Sequence, residues 1–443
     1  MGKNLALVDP DCIGLLFGKA DRAMKKIKAI LFFVLLFSIS QALFSQSYRV
    51  FQDEWKEIEE KTKFRIGPFK IFPVLQLRNI GYDDNIYYQK KEDHPISDYT
   101  STLSPEVRVF LLFRNSLILS FSENPEYLFY LREEKERTFT YSFSPRFRYL
   151  FLQHFVISGD YHYQMRRRRV SSEIDRLMTD FAKGYSLSFF YETARKTSFG
   201  FSGTIHKLTF EDIVLPGSTI YLSQELDREE RSGHFEFYYQ ISSETFFFYK
   251  LGYTEYNFEH PQSSWRNSYS YQTYAGIRFP LLGRIRGTLS LGYKNFVPRK
   301  EGRKSFSGFV GNTSLDFKLG RFDFRLGYVR DNAFSYWTEI LYFVENRYEA
   351  GISFYLTRFL RIDYNYQEGE LSYPELIPNR FSAGNYEEIK RKDILRSHSV
   401  GFAFRIIRNT GIGFTLHILK RASNFPGLTI KRNFLGAYLT YEF

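Results

Sequence analysis

The chain alternates. Between residues 138 and 151, Phe139, Tyr141, Phe143, Pro145, Phe147, Tyr149 and Phe151 take every second position. Thr138, Thr140, Ser142, Ser144, Arg146 and Arg148 fill the places between them. Successive side chains of a β-strand point to opposite sides, so this period of two gives one aromatic face and one polar face. Residues 103–111 repeat it with Glu106 and Arg108 on the polar side, and 322–328, 360–366 and 400–406 repeat it again. The pattern places strand centres near 74, 108, 122, 145, 160, 186, 203, 236, 250, 274, 290, 313, 325, 349, 363, 401, 415 and 437. Short turns (114–115, 152–154, 192–195, 242–244, 281–283, 320–321, 357–358, 407–409) alternate with longer polar loops. The loops fall near 81–98, 132–137, 167–180, 211–229, 259–267, 297–304, 331–339, 368–393 and 421–429. Strands of ~10 alternating residues, with short turns at one end and long loops at the other, describe an outer-membrane barrel.

The expected fold is therefore all-β: a transmembrane, antiparallel, up-and-down β-barrel of about 18 strands, with 16 as the alternative count. A soluble sandwich would bury its apolar face in a core and has no need of Phe and Tyr on nearly every strand. Phe113, Phe151, Tyr191, Phe279, Phe317, Phe354 and Phe404, near the turns, suit an interfacial aromatic belt. Leu435, Ala437, Leu439, Tyr441 and Phe443 keep the alternation to the end. This ending resembles the signal read by the outer-membrane assembly machinery, with Leu439, Tyr441 and Phe443 as the residues read.

The N-terminal part does not alternate. A basic stretch, Met24-Lys25-Lys26-Ile27-Lys28, precedes the apolar run AILFFVLLF at 29–37 and the small residues Ser38, Ser40, Ala42 and Ser45. That is the order of a secretory signal peptide, cleaved after Ala42 or Ser45. Residues 1–45 are thus an N-terminal extension and signal peptide, with Met24 an alternative start. Residues 46–68 are a short periplasmic segment in which 53–60 suit a short helix, and 69–443 form the barrel. The only cysteine, Cys12, is lost with the leader.

Composition agrees with this picture. Phe 48, Tyr 34 and Trp 3 bring the aromatics to 19 %, which disorder excludes and an outward face requires. Mean hydropathy is negative although the chain spans lipid, because half of every strand faces water. The net charge of +12 becomes +9 once 1–45, with its six Lys/Arg and three Asp/Glu, is removed. The strand phase assigns charged side chains to the lumen: Arg108, Arg146, Arg148, Arg278, Arg286, Arg325, Arg347, Arg361 and Arg405, with Glu106, Asp316, Glu345, Glu349 and Asp363. The modest basic excess predicts a weak preference for anions.

Residues 67–87 read GPFKIFPVLQLRNIGYDDNIY. A strand with a proline at its middle, leaving through G-Y-D-D-N-[IV]-[FY], resembles the opening of the putative β-barrel porin 2 family. That resemblance implies an outer-membrane barrel, and for some members an association with exopolysaccharide export. Asp83, Asp84 and Asn85 offer oxygens to a hard cation, although an Asx-rich turn explains them more simply.

Other clusters carry less. Arg166–Arg169 reads as a solvated loop, with a phosphorylated outer-leaflet lipid as the functional alternative. Glu387–Asp393 reads as a mixed-charge loop without chemistry. No G-x-S-x-G, P-loop or G-x-G-x-x-G occurs, and His154, His162, His206, His234 and His417 lack metal-ligand spacing. His398 and Ser399 are neighbours, so a strand turns them to opposite sides. The expected function is a porin-like outer-membrane channel for small or polymeric hydrophilic solutes, not an enzyme, with no cofactor and no metal. Its expected partners are outer-membrane lipid and lipopolysaccharide, the assembly machinery and polysaccharide export proteins, and not nucleic acid. The alternative is a closed barrel whose loops act as a surface adhesin or binding face. A lipase or protease is the weaker third reading.

Overall fold

The computed structural model describes residues 46–443 except 63, 153, 172, 175, 194–195, 215–220, 243, 282–284, 338–339, 380–386, 408 and 426–427. The leader, Met24 and Cys12 lie outside the described residues. Helix α1 is Gln46–Lys61. The barrel strands are β1 Phe69–Asp83, β2 Asp98–Phe113, β3 Leu117–Tyr130, β4 Thr138–Phe151, β5 Phe155–Arg168, β6 Met178–Glu192, β7 Thr197–Phe210, β8 Arg228–Gln240 and β9 Phe246–Phe258. They continue as β10 Ser268–Leu281, β11 Ile285–Pro298, β12 Phe306–Leu319, β13 Phe322–Phe334, β14 Tyr342–Tyr355, β15 Leu360–Asn379, β16 Glu387–Ile407, β17 Thr410–Ser423 and β18 Ile430–Glu442. Helix α2, Leu222–Leu226, lies between β7 and β8.

Each strand pairs antiparallel with the next, and β18 pairs back onto β1, so the 18 strands close. Every strand centre read from the alternation falls inside one of them. A short strand, Phe64–Ile66, folds against the start of β1. One loop boundary changes. Most of 368–393 is not loop, because β15 and β16 run on for 20 and 21 residues and pair along that length, with one shift between Ser372 and Leu376. The charged residues there hid the strand because this stretch stands beyond the level at which lipid requires apolar alternation.

Register fixes the two faces. Directly opposed residues share a side of the sheet. Pairs such as Phe121↔Pro145, Leu326↔Ala350 and Ile362↔Phe402 therefore define the outward face. Exposed Leu, Phe and Tyr cover it, for example Leu291, Phe309 and Tyr348. The belt residues from Phe113 to Phe404 all lie in this outward phase near the short turns.

The closing seam is reinforced by the loop leaving β1. The Asp83 carboxylate accepts the Arg432 Nε at 2.9 and 3.0 Å. Asp84 accepts from both the backbone N and the Nδ2 of Asn433 at 2.6 Å. Asn85 Nδ2 donates to the carbonyls of Gln89 at 2.8 Å and Lys431 at 3.0 Å. The D-D-N run is thus a staple between the first and last strands, and its oxygens are occupied by this chain. Removing either partner of the Asp83–Arg432 pair, side chains 5 % and 18 % exposed, leaves a poorly solvated charge. Asp83→Ala and Arg432→Ala should each lower barrel stability by about 3 kcal/mol, and the double variant by less than the sum. The temperature at which heat-modifiable gel migration converts to that of the unfolded chain measures this.

Candidate functional site

The inward phase carries the polar half of each strand. Arg146 faces Asp160 and Ser120 across the ladder, Arg286 faces Asp316, and Arg325 also faces Asp316. Each lumen residue named from the sequence falls in this phase. The structure brings many of them together as pairs. Arg325 Nε lies 3.2 Å from Asp316, Arg361 Nε 2.9 Å from Asp363, and Arg108 Nε 3.1 Å from Glu106. Arg347 lies 3.5 Å from Glu345 and 3.1 Å from Glu349. Arg146, Arg278, Arg286 and Arg405 make no ion pair or side-chain hydrogen bond among the described residues. Leu439 and Tyr441 lie in the outward phase of β18, and the Phe443 N donates to the Pro73 carbonyl at 3.3 Å.

The interior is covered at both ends, and the sequence pattern foresaw neither cover. At the short-turn end the cover is α1. Its Phe51, Trp55 and Ile58 recur at helical spacing and bury one face. They pack on Ile118, Leu150 and Val156, with Phe72, Phe110, Leu112 and Phe190 beside them. These wall residues are in the inward phase of β1–β6, within three residues of the strand ends on the short-turn side. Arg148 pairs with Glu54 of the helix. Residues 46–61 are therefore not a free tail but a helix seated on one sector of the inner wall. Each of its three anchors contributes roughly 2 kcal/mol on burial. The signal was present in the sequence: inward positions near the turns carry Phe, Leu, Ile and Val where a wet lumen calls for polar residues. The opposite sector, β10–β16, has no such seat and carries Arg278, Arg286, Arg325, Arg361 and Arg405.

At the long-loop end the loops turn inward and pack on one another. Ile174, Met178, Phe210, Leu222 and Leu226 form one cluster with Tyr336. Ile340, Phe343, Leu371, Tyr373 and Phe425 form a second with Trp337. Ile86, Tyr87 and Leu177 form a third. Glu173, between β5 and β6, accepts from the Ser335 Oγ and the Tyr336 N, both at 2.8 Å, and lies 3.9 Å from Arg391 of β16. Those strands stand far apart around the ring, so these contacts cross the mouth and make a roof.

Two arginines pin the roof. Arg391 is fully buried, donates to Asp393 from Nε at 3.1 Å, and lies 4.7 and 4.5 Å from the Trp337 and Tyr373 ring centres. Arg266, also fully buried, reaches Glu225 at 3.2 Å and the carbonyls of Ser335 at 2.9 Å and Trp337 at 2.8 Å. The stretch at 387–393 thus holds a structural charge centre. The run at 166–169 is corrected likewise. Arg166 and Arg168 share Asp180, and Arg167 binds Glu136 at 2.8 Å and Glu211 at 3.0 Å, so most of its charge is spent within the chain. His398 is engaged by the Tyr364 hydroxyl at 3.0 Å while Ser399 lies in the other phase. Among the described residues no group of three or more His, Cys, Asp or Glu is placed to hold a metal ion.

A closed barrel with a polar inner face, a helix at one mouth and a roof at the other defines a porin-type membrane protein. The model of the putative beta-barrel porin 2 family matches residues 63–443, and the chain belongs to that family. It is accordingly an outer-membrane protein, and the family is one of porins. Among solved structures it is similar to OpdO of Pseudomonas aeruginosa, at 12 % identity over 84 % of this chain and 97 % of that one, TM-score 0.45. It is also similar to P. aeruginosa OpdK crystallised with vanillate, at 10 % identity over 84 % and 98 %, TM-score 0.47. OccAB3 of Acinetobacter baumannii gives 11 % identity over 84 % and 99 %, TM-score 0.47. No curated protein matches. Membership rests on the family match alone.

Two expectations follow from the covers. Deleting 46–61, or replacing Phe51 and Trp55 by Asp, removes an obstacle ~10 Å wide and should raise single-channel conductance by roughly a factor of two. In the roof, burial pushes the Asp227 carboxyl up to about 6 from 3.8, against a hydrogen bond from the Phe210 N and the nearby His260. The folded chain then holds this proton more tightly than the unfolded one. Its contribution is full below about pH 4 and is lost as pH rises through about 6. Protease nicking of the loops should be slower at pH 5 than at pH 7, and Asp227→Asn should flatten that difference.

Proposed function

We propose that the protein is a passive channel for hydrophilic solutes, with a weak preference for anions and a path along the sector that α1 leaves uncovered. The observation that carries this is the asymmetry of the lumen. The helix occupies the apolar sector, while Arg278, Arg286 and Arg405, on the other side, have no carboxylate partner among the described residues. Arginines that form no ion pair (Asp316, opposite Arg286, is taken by Arg325) lower the free energy of an anion passing along a water-filled wall. Space also remains beneath the roof, in wall cavities of about 600 and 370 Å3. Passage of an anionic or sugar polymer, with export proteins on the periplasmic side, is the polymeric form of this reading. It is supported by the resemblance at 67–87 and by the width of an 18-strand ring.

The packed roof favours a second reading, in which the lumen is shut and the outer face binds. Bilayer recording separates the two. The channel reading expects ohmic steps and a reversal potential displaced modestly toward anions in a KCl gradient. Replacing Arg278, Arg286 and Arg405 together by Glu should carry that potential past zero to cation preference. Silence from correctly folded protein, including the variant lacking 46–61, favours the closed barrel.

A further inference from the structure

We infer that the inner wall at the closing seam, between β1, β2, β17 and β18, is a binding subsite for a neutral sugar unit. The inference rests on the channel reading above, since the wall must be reached by solute, and it names one class of solute that the wall retains.

The seam holds the cavity of about 600 Å3, a size suited to a small ligand. It is rich in polar groups that the chain leaves unused. Gln76, Thr415, His417, Tyr438 and Thr440 line it, and none makes a side-chain hydrogen bond among the described residues. The Nε of Arg78 is buried there without a partner. Only the Arg78 Nε is buried; the other five side chains are half-exposed on the cavity wall, where donors and acceptors not engaged by the chain suit a hydroxyl-rich ligand.

The charges at the seam are already cancelled. Arg78 pairs with Glu126, and Arg432 with Asp83. The cavity therefore offers no net charge to an ion, unlike the arginine sector that begins beside it with Arg405 on β16. What it offers is uncharged donors and acceptors together with aromatic surface. Tyr438 lies flat on Gly413 and Phe434 on Gly436; a Cβ at either glycine would run into the ring. Both rings stay half-exposed, with one face on the wall and the other toward the cavity. A pyranose has the complementary surface: an apolar C–H face for a ring and hydroxyls at its edge that both donate and accept.

The backbone is irregular at this level. β1 gains an extra residue against both neighbours, between Arg78 and Gly81 on the β2 side and opposite Ala437–Leu439 on the β18 side. Asn79, at the bulge, takes a left-handed φ of 56° and donates from Nδ2 to the Thr102 Oγ1 at 3.3 Å. Gly81 admits no side chain, because a Cβ would overlap the Leu435 carbonyl. A bulge re-aims side chains at the cost of ladder bonds, and closure alone does not call for one here.

The test uses the purified full chain in detergent. Maltotetraose, cellotetraose and chitotetraose are titrated calorimetrically, with tetragalacturonate as the anionic comparison, and the same sugars are added during bilayer recording. At least one neutral tetrasaccharide should bind saturably and interrupt the current in brief, concentration-dependent blocks. Tyr438→Ala and Gln76→Leu should each weaken binding about tenfold, with Tyr438→Phe falling between wild type and Tyr438→Ala; heat-modifiable migration reports that the variants are folded. Binding of none of the three neutral sugars, tighter binding of tetragalacturonate, or binding untouched by Tyr438→Ala and Gln76→Leu together would overturn the inference. Conductance without sugar binding removes this subsite and leaves the channel. Sugar binding without conductance removes the channel and leaves the subsite.

Discussion

Closure of the sheet is the constraint on which everything else depends. Lipid offers no hydrogen bond to a strand edge, so the N–H and C=O groups of β1 must meet those of β18. They do so from Val74↔Glu442 to Asp83↔Phe434. At the long-loop end the ladder continues into side chains, where Asp83, Asp84 and Asn85 hold the last strand through Arg432, Asn433 and the Lys431 carbonyl. The seam joins residues some 350 positions apart in sequence, so the loop-closure entropy of almost the whole chain is set against it. A charge-assisted clamp just beyond the final rung is well placed to hold the ring once formed.

Closure creates two unlike surfaces on one sheet. The outer one must be apolar wherever it meets lipid. The inner one is free to vary, and it does. On β1–β6, near the short turns, it carries Phe110, Leu112, Ile118, Leu150 and Val156, which would be costly against water and are covered by α1. Around β10–β16 it carries paired and unpaired arginines. The helix does not cover a uniform wall; it occupies the apolar sector, and the wall it leaves uncovered is the basic one. The same inner freedom leaves room at the seam for a neutral, polar and aromatic patch, beside the sector that ends with Arg405 on β16.

The strands were legible in the sequence because two solvents enforce a period of two; where lipid stops, legibility stops. Glu387-Glu388-Ile389-Lys390-Arg391-Lys392-Asp393 still alternates, but between two sets of charges. Arg391 and Asp393 turn inward, while Lys392 pairs outward with Glu370. Contacts with Glu173 and Trp337, both from distant loops, distinguish a buried arginine from a solvated one. Arg166–Arg169 misleads for the same reason, since Asp180, Glu136 and Glu211 are neighbours only after folding. The apolar face of α1 at 51, 55 and 58 was visible, yet its meaning depended on recognising Phe110 and Leu112 as inward residues lacking a wet role. The lumen assignments followed directly from strand phase. Which arginines remain without partners did not, because pairing depends on register between strands.

The roof shows why buried charge is used where apolar residues could be more stable. Placing Arg391, Glu173 and Asp393 out of water costs several kcal/mol per ion before any pairing. Two bonds to one carboxylate, a second carboxylate at 3.9 Å and two aromatic rings offset much of that. Apolar clusters would hold the loops together in many arrangements, since dispersion has no direction. A guanidinium between Trp337 and Tyr373, aimed at Asp393, fits one arrangement. Arg266 does the same from the neighbouring loop by binding the carbonyls of Ser335 and Trp337. The segment at 335–337 is gripped from both sides, by Arg266 on its carbonyls and by Glu173 on the Ser335 hydroxyl and Tyr336 amide. Loops pinned in this way give the outer mouth a fixed outline.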